Sequence, residues 1–492
     1  MVRAIRIRAE DDVATLIEDA AVGDIVIADD DRVVAREPVP RGHKIALAAR
    51  APGEPVIKYG HSIGRAAAAI VPGDHVHAHN LSSGLAGEQT YTYRPQFVVA
   101  DAARATPAFM GYRRDDGRVG TRNEIWILPT VGCVARTAER IARAAEAQVA
   151  GLVDGVHAFA HPFGCSQLGD DLAATRAMLA SLACHSNAGG VLILGLGCEE
   201  NQLDALIAAI PAWRRPAVRT LGAQMATDEL EEGVAAVVAL ARAAAAPRVP
   251  VPLDRLVLGV KCGGSDGLSG LTANPLVGRI ADRVADAGGT VVQTEVPEMF
   301  GAEQVLMNRA ADARVFEATA AMVNRFKRYF IDHGDPVSEN PSPGNIAGGI
   351  TTLEEKSLGA VQKGGRAKVT DVIGYGERVR VAGLTLLEAP GNDAVSCTAL
   401  AAAGATMILF TTGRGTPLGF PVPTVKIATN SALAARKPGW IDFDAGAVID
   451  DGFDVAEEAL LDRVVAIAGG AETAAERNGE REIALWKRGV TL

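Results

Sequence analysis

Five apolar runs of strand length in this chain each stop at a loop that is rich in glycine and polar residues. The runs span residues 125–128, 191–194, 256–260, 290–293 and 406–410. The loops after them carry, in the same order, Cys133, Cys198, Cys262 with Asp266, Glu295 with Glu298, and Arg414. Ligands of open α/β sheets bind outside the carboxyl ends of the strands. We therefore expect a functional site among these loops.

Residue patterns divide the chain into three predicted domains. Residues 1–100 contain short alternating strands between Gly, Pro and Asp turns, and one short helix is predicted over residues 12–18. Residues 94–107 have the pattern of a linker. Strand, loop and helix patterns alternate over residues 108–248 and again over 253–492, with a proline-rich break between them. The predicted fold is thus α/β, with a small β-rich domain followed by two α/β domains whose sheets are mostly parallel.

Composition limits the classes of partner. The net charge is −10 and aromatic residues make up 4% of the chain, which weighs against a nucleic-acid-binding surface. The first eight residues alternate apolar and basic side chains, unlike a secretory signal, and no stretch approaches the roughly 20 apolar residues of a membrane span. We expect a cytoplasmic protein that acts on a small molecule and binds neither nucleic acid nor membranes. Whether it forms a homo-oligomer is left open.

Histidines are concentrated near the N-terminus. His75, His77 and His79 alternate, so in a strand they share one face. Such a face suits two ligands of a divalent metal, or one ligand and a general base, and His43 lies in a nearby turn. The alternative is a polar strand face with surface histidines.

Four cysteines occur in glycine-rich loops. Cys133, Cys165, Cys198 and Cys262 lack the paired C-x₂-C spacing of a zinc ribbon. Three interpretations remain open: small loop residues without chemistry, ligands of iron or of an iron–sulfur cluster, or one reactive thiol.

The loops near residues 261–274 and 294–303 carry further reactive groups. The first has neither a Walker A nor a dinucleotide-binding pattern, but backbone amides exposed by its glycines at a helix N-terminus suit a bound carboxylate. Asp266 in the same loop is a candidate for hydroxyl contacts or acid/base work. Glu295 and Glu298 are paired carboxylates of the kind used as metal ligands or in acid/base catalysis. Residues 340–357 form a long polar loop that leads to Lys356, and loops of this kind are usually functional.

Several long motifs resemble the altronate/galactarate dehydratase family. They are Gly-Tyr-Arg-Arg-Asp-Asp-Gly-Arg-Val-Gly-Thr-Arg-Asn-Glu at 111–124, His-Pro-Phe-Gly-Cys-Ser-Gln-Leu-Gly-Asp at 161–170, Lys-Cys-Gly-Gly-Ser-Asp-Gly-Leu-Ser-Gly at 261–270 and Asn-Pro-Ser-Pro-Gly-Asn at 340–345. The N-terminal part, with Gly-His-Lys at 42–44 and the run at 75–80, resembles the SAF (β-clip) domain of that family. The resemblance covers nearly the whole chain.

The resemblance implies a hydro-lyase that removes water from a sugar acid. The expected reaction converts D-altronate to 2-dehydro-3-deoxy-D-gluconate, by removal of the proton next to the carboxylate and loss of the C3 hydroxyl. It also implies a divalent metal, Fe²⁺ or Mn²⁺, which stabilises the charge that develops. Galactarate dehydration, a sulfolactate sulfo-lyase reaction, and a carbohydrate-binding or regulatory protein remain as alternatives.

The resemblance also leads to hypotheses about the roles of individual residues. We expect His77 and His79, with His43 and His75, to form the metal or base cluster, and the cysteines remain alternative metal ligands. The expected catalytic and substrate-binding residues are His43, Lys44, Asp266, Glu295 and Lys356, together with Arg122, Asn123, Lys261, Ser265 and Asn345. These residues form one site only if the N-terminal domain folds over the strand ends or reaches a neighbouring subunit.

Overall fold

The computed structural model describes residues 1–97 and 106–492. The central part of the predicted linker, residues 98–105, lies outside the described residues. No helix in the described parts of the chain is both long and apolar enough to cross a membrane.

The N-terminal domain consists of short strands in two sheets. The strand orders are β4-β3-β1-β2-β5-β8 and β6-β7-β9. The strands are β1 (Val2–Ile5), β2 (Val13–Leu16), β3 (Ile25–Ala28), β4 (Asp31–Val34), β5 (Lys44–Ala46), β6 (Pro55–Lys58), β7 (His61–Ala66), β8 (His75–Val76) and β9 (Leu81–Ser82). This arrangement confirms the prediction of a small β-rich domain.

The predicted helix over residues 12–18 is wrong. This segment contains β2, which is fully buried and pairs antiparallel with β1 and β5. Val13, Thr15 and Ile17 alternate and are β-branched, which favours a strand. The Asp12 carboxylate accepts hydrogen bonds from the Arg50 side chain and the Ile57 amide, so it joins the start of β2 to β6 instead of capping a helix.

The middle domain is built on a parallel sheet of order β13-β12-β14-β15, with a small antiparallel sheet β11-β10-β16 beside it. Its elements are β10 (Ala108–Arg113), β11 (Val119–Gly120), β12 (Glu124–Pro129), α1 (Ala135–Val149), β13 (Gly155–Ala158), α2 (Gly169–Ala183), β14 (Ala188–Gly195), α3 (Leu203–Ala209), β15 (Val218–Gly222), α4 (Glu229–Ala244) and β16 (Val249–Pro252). The proline-rich break is thus strand β16, which pairs with β10.

The C-terminal domain has a seven-stranded parallel sheet of order β19-β20-β18-β17-β21-β22-β23. Its elements are β17 (Val257–Cys262), α5 (Ala273–Asp286), β18 (Thr290–Gln293), α6 (Glu303–Met307), α7 (Ala313–Asp332), α8 (Pro343–Ile346), α9 (Leu353–Ala360), β19 (Val369–Ile373), β20 (Gly383–Leu387), α10 (Asp393–Ala403), β21 (Met407–Thr412), β22 (Thr424–Ala428), α11 (Ser431–Arg436), β23 (Phe443–Asp444), α12 (Val448–Asp451), α13 (Phe453–Ala468) and α14 (Ala474–Arg477). Short 3₁₀ helices span Gly132–Val134, Arg215–Ala217, Leu253–Arg255, Val296–Met299, Val361–Gly364 and Ala445–Ala447.

All five apolar runs form strands of the two parallel sheets, namely β12, β14, β17, β18 and β21, as predicted. In the larger sheet, the chain passes from β17 to β18 on one side and later adds β21 on the other side of β17. The strand order therefore reverses at β17, and such a reversal leaves a crevice at the carboxyl ends of the strands where ligands bind.

Candidate functional site

The loops after β17 and β21 meet at this reversal point. The Gly263 amide donates to the Thr411 carbonyl at 3.0 Å, and the Gly413 amide donates to the Gly264 carbonyl at 3.1 Å. The Asp266 carboxylate ties the loop after β17 to the loop after β22, because it accepts hydrogen bonds from the side chains of Thr429 and Asn430. Burial raises the pKa of Asp266, which is the direction needed for a carboxyl group that exchanges protons with a substrate.

A buried group of charged residues fills the space below the ends of β17 and β18. Lys261 forms an ion pair with Glu295, and Lys363 Nζ lies 3.1 Å from the second oxygen of Glu295. The Cys262 thiol lies 2.7 Å from Lys363 Nζ and 3.2 Å from a Glu298 oxygen. Burial raises the pKa of Cys262 to about 12, so the thiol stays protonated at neutral pH.

Lys356 joins this group to the long polar loop. Its Nζ lies 2.8 Å from a Glu298 oxygen and donates to the side-chain oxygens of Asn340 and Asn345 at 3.0 and 3.1 Å. Asn345 in turn donates to the Ser265 carbonyl at 2.8 Å. The expected residues Lys356, Ser265 and Asn345 therefore lie together, and they tie the loop to the end of β17.

The N-terminal domain reaches the same region through one buried carboxylate. Glu355 forms ion pairs with Lys44 and Lys58, each at 2.8 Å, and all three side chains are nearly inaccessible to solvent. Lys44 also donates to the Gly349 carbonyl and to the Thr351 hydroxyl at 2.8 Å. Burial lowers the pKa of Lys44 to about 8. These contacts fix the N-terminal domain against the C-terminal domain.

His43, His75 and His77 form a compact group beside Lys44. Among residues 1–97 and 106–492 it is one of two groups in which three potential metal-ligand atoms all lie within 4.8 Å of one another; the other is Cys262 with Glu295 and Glu298. His43 Nδ1 lies 3.0 Å from His75 Nε2, and His77 Nδ1 lies 3.0 Å from the Thr351 hydroxyl.

The histidine group has the chemistry of a metal site. Burial lowers the pKa of His75 to about 3 and that of His77 to about 4, so both rings are neutral and their nitrogens can act as ligands. Two nitrogens at about 2.1 Å from one ion lie roughly 3 Å apart when the two bonds are perpendicular, and His43 and His75 show this spacing. Neutral imidazoles suit iron, so these residues fit the metal that the resemblance implies.

His79 is not part of this group. Strand β8 ends at Val76, and the chain then turns, with the Asn80 amide donating to the His77 carbonyl at 3.0 Å. The His79 side chain is 52% exposed and lies 4.0 Å from Glu37. The His79 ring centroid lies 5.6 Å from that of His75, but its donor atoms lie outside the group of three, in which His43 is the third histidine.

A cleft lined by arginines opens beside the histidine group. It has a volume of about 500 Å³ and is lined by Arg41, Arg414, Arg436, Asp266 and the backbone of Gly42. Gly42 directly precedes His43, and Ala347, which also lines the cleft, forms a backbone hydrogen bond with the His43 ring. This arginine set was not predictable from the sequence, because its members are far apart in the chain. The one signal was Arg414 in a Gly-Arg-Gly turn at a strand end.

Two expected substrate-binding residues lie elsewhere. Arg122 is buried and pairs with Glu476 of α14 at 2.8 Å. Asn123 is bonded to the Arg114 side chain and to the Ala244 carbonyl. Both residues join elements of the scaffold, and the structure does not bring them to the cleft. Cys133, Cys165 and Cys198 lie in loops of the middle domain and are exposed.

Thiol exposure gives a direct test of this arrangement. In the metal-free, reduced protein, we expect Cys133, Cys165 and Cys198 to react rapidly with a thiol reagent, and Cys184, Cys262 and Cys397 to react only after unfolding. Mass spectrometry of the labelled peptides measures this. Rapid labelling of Cys262 in the folded protein would show that the buried charged group is open to solvent, contrary to the structure.

Family comparisons cover the three domains in turn. The altronate/galactarate dehydratase SAF domain matches residues 2–84. The second domain of D-galactarate dehydratase/altronate hydrolase matches residues 111–245, and the C-terminal domain of D-galactarate/altronate dehydratase matches residues 253–491.

Individual relatives align over most of the chain. Altronate dehydratase of Escherichia coli (strain K12) is 51% identical and that of Bacillus subtilis (strain 168) is 47% identical, each with 99% of both chains covered. Galactarate dehydratase (L-threo-forming) of Escherichia coli (strain K12) is 31% identical, with 84% of this chain and 82% of the relative covered. The chain therefore belongs to the D-galactarate/altronate dehydratase family.

Proposed function

We propose that this protein is a hydro-lyase that converts D-altronate to 2-dehydro-3-deoxy-D-gluconate and water. The observation that carries the proposal is the neutral histidine group of the N-terminal domain, which lies beside an arginine-lined cleft at the strand reversal of the C-terminal sheet. The choice of D-altronate is supported by the two relatives named altronate dehydratase, which align over the full chain.

His43, His75 and His77 would hold the divalent metal, Fe²⁺ or Mn²⁺. When bound, the ion polarises the substrate carboxylate and stabilises the negative charge that develops as the neighbouring proton leaves. Thr351 orients the His77 ring, because its hydroxyl lies 3.0 Å from Nδ1. Lys44 fixes that threonine through its own hydrogen bond.

The protein is acidic overall, so an anionic substrate can bind only where cations are grouped locally. The cleft supplies such a group. Arg41, Arg414 and Arg436 bind and orient the sugar-acid carboxylate, since guanidinium groups match carboxylate geometry. Three of the lysines considered in the sequence, by contrast, already pair with buried carboxylates: Lys44 with Glu355, Lys261 with Glu295 and Lys356 with Glu298. The arginines are therefore the carboxylate-binding groups in this proposal.

Asp266 is the acid/base group on the cleft wall in this proposal. Its carboxylate is buried, yet the residue lines the cleft. A carboxyl group with a raised pKa is suited to protonate a departing hydroxyl, and its hydrogen bonds to Thr429 and Asn430 fix its orientation. Glu295 and Lys261 lie below the loops and hold them in place.

An assay of keto-acid release separates the possible functions. After removal of metal with a chelator, we expect D-altronate to yield a keto acid only when Fe²⁺ or Mn²⁺ is restored. Galactarate and sulfolactate are expected to react at least about 10-fold more slowly, which corresponds to about 1.4 kcal/mol of discrimination. Binding of these acids without any keto product would contradict the proposal and support a carbohydrate-binding role.

A further inference from the structure

Three exposed cysteines follow three neighbouring strands of the middle domain. Cys133 comes after β12, Cys165 after β13 and Cys198 after β14, and β12 lies between the other two strands. Parallel neighbours are about 4.8 Å apart, and their carboxyl ends lie at one edge of the sheet. The remaining cysteines of the chain, Cys184, Cys262 and Cys397, are buried. The three exposed thiols are thus gathered at one edge.

Hydrogen bonds join the three cysteine loops in pairs. The Gly132 amide, next to Cys133, donates to the Phe163 carbonyl at 2.8 Å, which ties the first loop to the second. The Asn201 amide donates to the Gly164 carbonyl at 3.1 Å, which ties the third loop to the second. The Asn201 side chain donates to the Thr130 carbonyl at 3.1 Å, which ties the third loop to the first. Each loop is therefore fixed relative to the other two.

Two further features indicate that these loops are preformed. Glu199, next to Cys198, is buried and accepts hydrogen bonds from the Thr130 hydroxyl and from the amides of Leu196 and Gly197. Ser166, next to Cys165, has a φ of 57°, a conformation that is costly for a residue other than glycine and that is concentrated at functional sites. Loops that only connect strands to helices do not need this bracing.

The three thiols are not grouped as tightly as the sulfur ligands of a single metal ion. Among the described residues, neither group of three donors within 4.8 Å of one another contains Cys133, Cys165 or Cys198. The sulfur ligands of a single tetrahedral ion lie closer together than this limit, because each is about 2.3 Å from the metal. A multinuclear iron–sulfur cluster holds its cysteine ligands farther apart, because each sulfur binds a different iron.

We propose that Cys133, Cys165 and Cys198 bind a cuboidal four-iron cluster whose fourth iron has no cysteine ligand. The proposal is independent of the dehydratase function, since it rests on the middle domain alone. Cys133 lies in the 3₁₀ turn that leads into α1, where the positive end of the helix dipole favours an anionic group such as a thiolate-bound cluster. The three cysteines face solvent, so the fourth iron is open to a small oxygen ligand such as a carboxylate or hydroxyl.

Anaerobic reconstitution with an iron salt, sulfide and a thiol reductant tests the proposal. We expect about four irons and about four acid-labile sulfides per chain, the broad visible absorption of an iron–sulfur cluster, and a paramagnetic signal after oxidation or reduction. Cys133→Ser, Cys165→Ser and Cys198→Ser are each expected to lose the sulfide and the absorption. The matched control, Cys184→Ala, removes a buried thiol and is expected to keep both.

A second readout covers the case in which a serine variant fails to fold. In the unmodified protein, reconstitution is expected to protect Cys133, Cys165 and Cys198 from alkylation and to leave the labelling of the buried thiols unchanged. The proposal is overturned if the protein binds no sulfide, or if reconstitution leaves the three exposed thiols fully reactive. His77→Ala is expected to keep the cluster, so failure of the histidine site and failure of the cluster are separate results.

Discussion

Replacing Glu355 with glutamine is expected to lower the local free energy of unfolding by about 3–5 kcal/mol, the effect of removing one partner from a buried ion pair. Glu355 is the carboxylate that pairs with both Lys44 and Lys58, and all three side chains are buried. The substitution leaves two ammonium groups without their counter-charge. Hydrogen exchange of the amides in β5, β6 and α9 measures the loss, since it reports local opening.

Two further variants show whether charge is the cause. Glu339→Gln removes an exposed carboxylate of the same domain and is expected to change stability by less than about 0.5 kcal/mol. Adding Lys58→Met to Glu355→Gln removes one of the unpaired charges and is expected to recover part of the loss. If Glu355→Gln leaves exchange in all three elements unchanged, the buried pair does not hold the N-terminal domain in place.

Replacing His77 with alanine is expected to remove the bound metal at micromolar ion concentrations and to lower kcat/KM by about 100-fold or more. The substitution leaves two of the three imidazole donors of the group. Metal polarisation of a reacting oxygen is worth several kcal/mol, and each 1.4 kcal/mol is about a tenfold change in rate. Metal analysis after dialysis and keto-acid release from D-altronate measure the two effects. His75→Ala is expected to behave in the same way.

His79→Ala is the matched control for this prediction. His79 comes from the same histidine run but is exposed and lies outside the donor group. We expect its variant to keep both the metal and most of the turnover. Equal losses in His77→Ala and His79→Ala would contradict the assignment of the metal to His43, His75 and His77.

The sequence predicted those features whose residues lie close together along the chain. Apolar runs followed by glycine loops identified β17, β18 and β21, and the loops at Cys262, Glu295 and Arg414 indeed lie at the carboxyl edge of one sheet. The alternating histidines were also recognised, but the turn after Val76 depends on tertiary contacts, so the sequence did not separate His79 from His77.

Long-range charge pairing was not predictable from the sequence. Lys44 and Glu355 are separated by 311 positions. Arg41 and Arg414 line the same cleft only because the N-terminal domain lies against the C-terminal sheet. A lysine in the sequence gives no sign of whether its charge is free for a substrate. Lys261 and Lys356 were expected to contact the substrate, and the structure shows each paired with a buried glutamate, a pairing that the sequence did not indicate.

Locating the bound metal tests the central claim, a composite site built on the N-terminal histidines, most directly. Crystals of the Mn²⁺-loaded protein give an anomalous diffraction peak at the ion. We predict the peak among His43, His75 and His77, next to the arginine-lined cleft. A peak at the other donor group, Cys262 with Glu295 and Glu298, and none at the histidines would contradict the account.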